Sequence, residues 1–303
     1  MEIRNLRSFI AVASLKSFSA AARELNTVQP AISRQIADLE DELGVRLFWR
    51  NTREVKITAA GDSLLREAHD ILSREQQVKE HVLRAARGEI GRLRIGYLAS
   101  ACFSFMPELV RGYSALYPKV QISLQEMTVR QQIDAFSAGQ LDVGFSRPMS
   151  NYEGIGFSAE EIYVDTLIAV LPETHMLAKA KRLRLRELGK DPFVLFIRSE
   201  AVGLFDQIIS ACQREKFSPV ILNQPGNMQT VLTEVAAGLG VSIVPGCVRS
   251  LYTKGCVFVP IQNQKPSIPT ELHYRSTPSV PTVKLFVELT LKRKQEIQRQ
   301  MLK

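Results

Sequence analysis

The sequence has no stretch that approaches the ~20 consecutive apolar residues of a membrane-spanning helix, so no such span is expected. Its first residues, Met1-Glu2-Ile3-Arg4-Asn5, run straight into a helical pattern. The apolar run and small-residue cleavage site of a secretory signal are missing, and a cytoplasmic protein with no membrane partner is the expectation. Cysteine is scarce: Cys102, Cys212, Cys247 and Cys256 are scattered, without a CxxC pair or a histidine at ligand spacing. That excludes a zinc ribbon or a disulfide framework. Buried reduced thiols are the favoured reading, with a redox-sensing cysteine as the alternative. Histidine is equally scarce. His69, His81, His175 and His273 stand in no HExxH pair, the chain has no GxSxG elbow, and no glycine-rich nucleotide loop follows a strand. Catalytic groups can be assembled from distant positions, but nothing in the pattern calls for an enzyme, a metal or a cofactor.

What is present is length, charge and periodicity. A chain of 303 residues with 45% hydrophobic content can build more than one domain. Its formal net charge of +8 suits a polyanionic partner. Part of that excess lies in Lys292-Arg293-Lys294 and from Arg299 to Lys303, where it reads as the solvated end of a helix.

Ile3, Leu6, Phe9, Ile10 and Ala13 recur at helical spacing and predict a first helix over about 3–14. Ser14-Leu15-Lys16-Ser17 interrupts it. Phe18, Ala21, Ala22 and Leu25 form a short second helix, whose adjacent alanines admit a close neighbour. After the Asn26-Thr27 turn, a third helix carries Ile32, Ile36, Leu39 and Leu43 on one face, with Pro30 in its first turn. This is the helix-turn-helix pattern, in which the start of the later helix meets base edges in the major groove. Here that start offers Gln29, Pro30, Ser33, Arg34 and Gln35, with Ser17 at the preceding turn. Gln suits adenine, Arg suits guanine, and Ser suits bases or phosphates. Asp38, Glu40, Asp41 and Glu42 crowd the far end, which should face away from phosphates. Alternation on both sides of Asn51-Thr52 predicts a hairpin, and thus a wing. Arg50, Arg53 and Lys56 would reach phosphates from it, and Arg53 the minor groove. A plain small helical bundle is the competing reading. The cationic start of the third helix and the basic hairpin favour double-stranded promoter DNA as partner. Trp49, the only Trp, gains no role from the sequence.

Leu64, Ala68, Ile71, Glu75, Val78, Val82 and Ala85 then alternate in steps of four and three, with Thr58 placed to cap the helix and Gly88 to end it. A long helix packed on its own domain and an intermolecular seam both fit. Its length favours the seam, and a dimer would set two reading helices on one duplex. From Leu93 onward, short strands alternate with helices, which predicts an α/β domain. Ala138-Gly139-Gln140-Leu141-Asp142-Val143 is echoed by Ala237-Gly238-Leu239-Gly240-Val241, as in two related halves around a cleft. Ligands in such folds bind at strand carboxyl ends, where helix N-termini offer free N–H groups. The candidates are Ser100, Cys102 and Phe103 after the first strand, Thr128 after the second, and Phe145 and Arg147 on and after the third. Phe196, Arg198, Val202, Asn227, Met228 and Pro245 are their counterparts in the second half. Ser100 and Thr128 read equally well as helix caps.

The run Phe18-Ser19-Ala20-Ala21-Ala22-Arg23-Glu24-Leu25, with Gln29-Pro30-Ala31-Ile32-Ser33-Arg34-Gln35-Ile36, Leu47-Phe48-Trp49-Arg50 and Thr58-Ala59-Ala60-Gly61, resembles the LysR-type transcriptional regulators. The Ser100 and Thr128 neighbourhoods and Gly144-Phe145-Ser146-Arg147 resemble the branch controlling aromatic-acid (benzoate/catechol-type) degradation. The resemblance implies a multidomain chain: a winged helix-turn-helix over 1–60, a linker helix over 61–90, and an α/β periplasmic-binding-protein-like effector domain over 91–303. Its subdomain I would take about 91–161 and 268–303, and subdomain II about 162–267. It also implies that Gln29, Ser33 and Arg34 serve the major groove while Arg50 and Arg53 serve the wing. The linker helix would make a homodimer that assembles to a homotetramer on an interrupted palindrome. RNA polymerase is an expected partner, with activation the expected direction. The implied ligand is a small aromatic or unsaturated carboxylate acting as inducer rather than cofactor.

Overall fold

A computed structural model describes residues 1–50, 54–149, 157–251, 254–277 and 280–301, with the side chain of Arg50 outside that set. The chain forms two compact units, Met1–Arg84 and a larger one from Ala85 onward.

In the first unit, α1 (Ile3–Leu15) buries Leu6, Phe9 and Val12 and stops at Lys16, whose φ is 52°. Ser17 caps α2 (Phe18–Glu24): its Oγ accepts the Ala20 N–H at 3.2 Å. Ala21 and Ala22 are buried, so α2 lies close to its neighbours as their small side chains allow. α3 (Gln29–Leu43) buries Ile32, Ile36 and Leu39, and ends on Gly44 at φ 69°. β1 (Phe48–Arg50) and β2 (Val55–Ile57) pair antiparallel with Trp49 opposite Lys56. Phe48 enters the core against Phe9, ring centroids 5.3 Å apart, while Trp49 on the other face is 61% exposed. Period-2 alternation imposes that split.

α4 (Ala59–Ala86) starts at Thr58, whose Oγ1 accepts the Gly61 N–H at 2.9 Å and donates to the Arg46 carbonyl at 2.8 Å. A Cβ on Gly61 would lie 2.3 Å from the Leu47 carbonyl oxygen, so only glycine fits this close approach. The expected seam divides in two. Ala68 is fully buried, and Leu64 and Ile71 pack with it on the unit's own core. Over those positions the intramolecular reading holds, because α1–α3 leave an apolar face for α4 to cover. The polar flaw, Glu75, is bound by Arg7 at 2.8 Å and by Lys79. Those hydrogen bonds hold its carboxyl below the usual range. Beyond it, Val78, Val82 and Leu83 are 49, 60 and 54% exposed.

The second unit opens with β3 (Ile90–Tyr97), α5 (Ala99–Cys102), α6 (Met106–Leu116), β4 (Lys119–Glu126), α7 (Val129–Ser137), β5 (Val143–Ser146) and β6 (Phe157–Asp165). It continues with β7 (Leu167–Pro172), β8 (Pro192–Val194), α8 (Val202–Arg214), β9 (Val220–Asn223), α9 (Met228–Ala236), β10 (Ser242–Pro245) and β11 (Cys256–Pro260). β12 (Ile268–Arg275) and α10 (Pro281–Met301) close it. One sheet has the order β4-β3-β5-β12-β6. The other comprises β10-β7-β11 and the pair β8-β9, joined by a bridge from Phe193 to Val241, and so reads β9-β8-β10-β7-β11. The two halves share one plan, and the echoed phrase marks equivalent corners: Gly139 follows α7 at φ 65° and Gly238 follows α9 at φ 79°.

The chain crosses between halves at Asp165–Leu167 and returns at Ser267–Ile268. The first crossing comes a few residues later than expected, because β6 stays paired with β12 as far as Asp165 opposite Ile268. The Asp165 carboxylate fastens this crossing by accepting the Thr166 and Cys247 N–H groups, each at 2.7 Å.

Candidate DNA-reading face and effector cleft

The start of α3 lies open. Its N-cap, Val28, supplies no side-chain cap, and Val28, Gln29, Pro30 and Arg34 are exposed while Ser33 is half-buried. Uncapped N–H groups at a helix start attract anions. The guanidinium of Arg34 stands on the same solvent-facing side, one turn in. Gln35 departs from expectation: its Oε1 accepts a hydrogen bond from Ser8 of α1, so this side chain belongs to helix packing rather than to the groove face. Ser17 sits at the α2 N-terminus with its oxygen engaged as a cap, which leaves its O–H to donate. Lys56 is exposed on the wing but pairs with Glu54 at 2.9 Å. Arg53 and the side chain of Arg50 lie outside the described residues. Sequence reasoning missed Glu40. Its carboxylate accepts the Leu47 and Phe48 N–H groups, at 2.7 and 3.2 Å, and so fixes the wing to the end of α3. An acidic helix end read only as repelling phosphate hid this structural task.

In the second unit a cavity of about 470 Å³ opens between the halves. Ser100, Phe103, Thr128, Arg147, Phe196, Asn227, Met228 and Pro245 all line it, as anticipated. Thr128 is also a cap: its Oγ1 accepts the Gln131 N–H at 3.3 Å, and Gln131 Oε1 accepts the Thr128 N–H at 2.9 Å. Asn227 caps α9 by accepting the Thr230 N–H at 2.8 Å. The two readings of such residues therefore coexist, since a capping side chain marks where free helix N–H groups face the cleft. Arg147 donates to Thr270 Oγ1 at 2.6 Å, to the Pro269 and Ile268 carbonyls at 3.3 and 3.4 Å, and to Cys247 Sγ at 3.5 Å.

Four expected lining residues are corrected. Cys102 and Phe145 are fully buried behind the wall. The single turn of α5 points Cys102 inward while Ser100 and Phe103 face the cavity. Phe145 points to the core face of its sheet and packs against Phe105 with centroids 5.7 Å apart. Arg198 is drawn to Asp206, with bonds of 2.8 and 3.0 Å, and Val202 is exposed; neither lines the cavity. Sequence reasoning missed Tyr97 and Glu126, the last residues of β3 and β4, although the strand-end rule points to both. It also missed Gln131, the capping-box partner of Thr128 on α7, and Glu200, Ala201 and Leu204, which depend on where the turn before α8 runs.

Burial pushes the thiols up, Cys212 and Cys256 to about 11 and Cys247 to about 12, with Cys102 higher still. Such burial favours the protonated thiol at all four positions. Burial also lowers His273 to about 4. Among the described residues, no helix is long and apolar enough to cross a membrane, and no cluster of His, Cys, Asp or Glu could hold a metal ion.

Residues 3–62 match the bacterial regulatory helix-turn-helix proteins of the lysR family, and residues 86–295 match the LysR substrate binding domain. The HTH-type transcriptional regulator YnfL of Escherichia coli (strain K12) is 36% identical over 87% of this chain and 89% of its own. The HTH-type transcriptional regulator ClcR of Pseudomonas putida is 32% identical over 95% of this chain and 98% of its own. Among solved structures, full-length CbnR complexed with its target DNA superposes with a TM-score of 0.80 at 29% identity, covering 97% of this chain and all of that one. The relatives are named regulators, not enzymes, and the exposed start of α3 together with the cleft between two like-built halves has its explanation in that kinship: the chain belongs to the LysR family of DNA-binding, effector-responsive transcriptional regulators.

Proposed function

We propose that the chain regulates transcription in response to a small aromatic or unsaturated carboxylate bound between the two halves of its second unit. The observation that carries this reading is the cavity of about 470 Å³, a size suited to a small organic ligand. Its walls combine the apolar Phe103, Phe196 and Met228 with the hydroxyls of Ser100 and Thr128, the guanidinium of Arg147, and the starts of α7 and α9. Apolar walls take a ring; helix starts and a guanidinium take a carboxylate. The ligand acts as an inducer, and no cofactor takes part. A thermal-shift screen against a panel of carboxylates tests the reading. Stabilisation by an aromatic or unsaturated acid is expected. No shift with any such acid, beside a clear shift with another ligand class, would reject it.

Regulation then follows from linkage. A ligand that prefers the closed cleft shifts the protein toward that state, and only through this difference in affinity. We propose that the chain dimerises through the second half of α4 and assembles to a homotetramer in the cytoplasm. Ligand closure then alters the spacing of the DNA-binding units and the bend of an interrupted palindrome in promoter DNA. Gln29, Ser33 and Arg34 read the major groove, with Arg50, Arg53 and Lys56 on the wing. At such promoters the regulator contacts RNA polymerase and activates. Transcription in vitro with purified polymerase, with and without inducer, checks that step; unchanged transcript levels would refute it.

A further inference from the structure

Three charged residues line the cleft, Glu126, Arg147 and Glu200, so its carboxylates outnumber its guanidinium. Arg147 spends N–H groups on Thr270, the Pro269 and Ile268 carbonyls and the Cys247 sulfur, which pins it to the cavity floor. Neither glutamate forms an ion pair among the described residues. They stand on opposite walls. Glu126 is the last residue of β4 in the first half, and Glu200 lies in the turn before α8 in the second.

We infer that the effector carries, besides its carboxylate, a nitrogen that donates hydrogen bonds and is held between Glu126 and Glu200. The inference rests on reading the cleft as the effector site and narrows the ligand to an amino-substituted aromatic monocarboxylate. The cavity lining carries both signs. The starts of α7 and α9, with Arg147, make one region favourable to an anion. Glu126, two residues before the α7 cap, and Glu200 favour N–H donors and disfavour a second carboxylate. An unsaturated dicarboxylate would set its far carboxylate against them. Closing the empty cleft brings the two glutamates toward each other, and like charges oppose that movement. A donor nitrogen between them turns the repulsion into two charge-assisted hydrogen bonds. The glutamate pair thus favours the open cleft until a ligand of the right chemistry arrives, which makes the same residues a determinant of both specificity and closure.

The test is isothermal titration of the full chain with benzoate, the three isomeric aminobenzoates and hexa-2,4-dienedioate. It is repeated on the conservative double variant Glu126→Gln/Glu200→Gln, with thermal melts confirming that it folds. At least one aminobenzoate should bind about tenfold or more tighter than benzoate, the increment expected of hydrogen bonds to a charged acceptor. The dicarboxylate should bind weakest. In the double variant, the preference for the amino group should fall to within about twofold. The ligand series on the unaltered chain is decisive even if the variant misfolds. Equal binding of benzoate and all aminobenzoates, or tightest binding of the dicarboxylate, overturns the inference and leaves the carboxylate-effector reading standing. Survival of the preference in a folded double variant also overturns it. Failure of every one of these acids to bind overturns both.

Discussion

Arg147 donates a hydrogen bond of 2.6 Å to the hydroxyl of Thr270, and so ties the end of β5 to β12 beneath the cleft. Thr270 is fully buried, and β12 is the strand through which the chain returns from the second half to the first. A side chain on the cavity wall is thus fastened next to a crossing between the halves.

Thr270→Val keeps the shape and removes the acceptor. The buried guanidinium loses one partner, so the variant should be less stable by about 1–3 kcal/mol. Its inducer dose–response should shift to higher concentration while DNA affinity without inducer stays the same. Paired thermal melts and a promoter-binding titration check this; an unchanged dose–response would remove Arg147 and Thr270 from the effector pathway.

Thr128→Val removes both the α7 cap and a hydroxyl from the cavity wall. Loss of the capping box with Gln131 should lower stability by about 1 kcal/mol. The inducer response should weaken well beyond what that loss explains, with DNA affinity nearly intact. Thr128→Ser, which restores cap and hydroxyl together, should recover both.

Burial depresses His273 to about 4 from the ordinary 6.5. Its ring hydrogen-bonds the Arg147 backbone, and its Nε2, without a hydrogen-bond partner, lies 3.4 Å from a carboxylate oxygen of Glu271. Burial and the nearby Glu161 push the Glu271 carboxyl up. In the window between pH 6.5 and about 4 the unfolded chain binds a proton at this histidine that the folded chain refuses. Stability from the neutral ring is therefore complete above 6.5 and is lost as the pH falls toward 4, by about 3 kcal/mol in all. His273→Gln should flatten that part of the profile. Melting temperatures at pH 7 and 4.5 measure it, and an equal drop in both proteins would refute the assignment.

The helix-turn-helix was legible because its signals are local: helical periodicity, paired alanines, Pro30 in a first turn and Gly44 past the last. The wing hairpin and the burial of Phe48 against exposed Trp49 followed from alternation, but the register, with Arg50 opposite Val55, did not. Two kinds of feature were not legible. Gln35 and Glu40 are polar residues at the edge of a reading surface, and only packing decides that Ser8 takes one and the Leu47 and Phe48 amides take the other. In the cleft, the strand ends were readable, so Ser100, Thr128 and Asn227 were found. Cys102 and Phe145 were misassigned because proximity in sequence to a cavity does not say which face a side chain takes. Glu200 and Leu204 were missed because the path of a turn is set by the whole half-domain around it.

The seam on α4 gives a further expectation. Ala68 is held in the unit's own core, whereas Val78 and Val82 stand in solvent half-way to the helix end. Val78→Glu/Val82→Glu should therefore dissociate the assembly without unfolding Met1–Arg84. Light scattering after size exclusion should show a fall in mass at an unchanged melting temperature. An unchanged mass would place the dimer contact elsewhere.

α3 is expected to deliver sequence-specific recognition of DNA. Fluorescence anisotropy of the full chain on its own promoter fragment and on a scrambled one, followed over salt, tests it most directly. Tighter binding to the promoter and a steep fall in affinity with salt are expected. Arg34→Ala should lose the sequence preference while keeping its fold. Equal affinity for both fragments, or a preference that survives in Arg34→Ala, would contradict it.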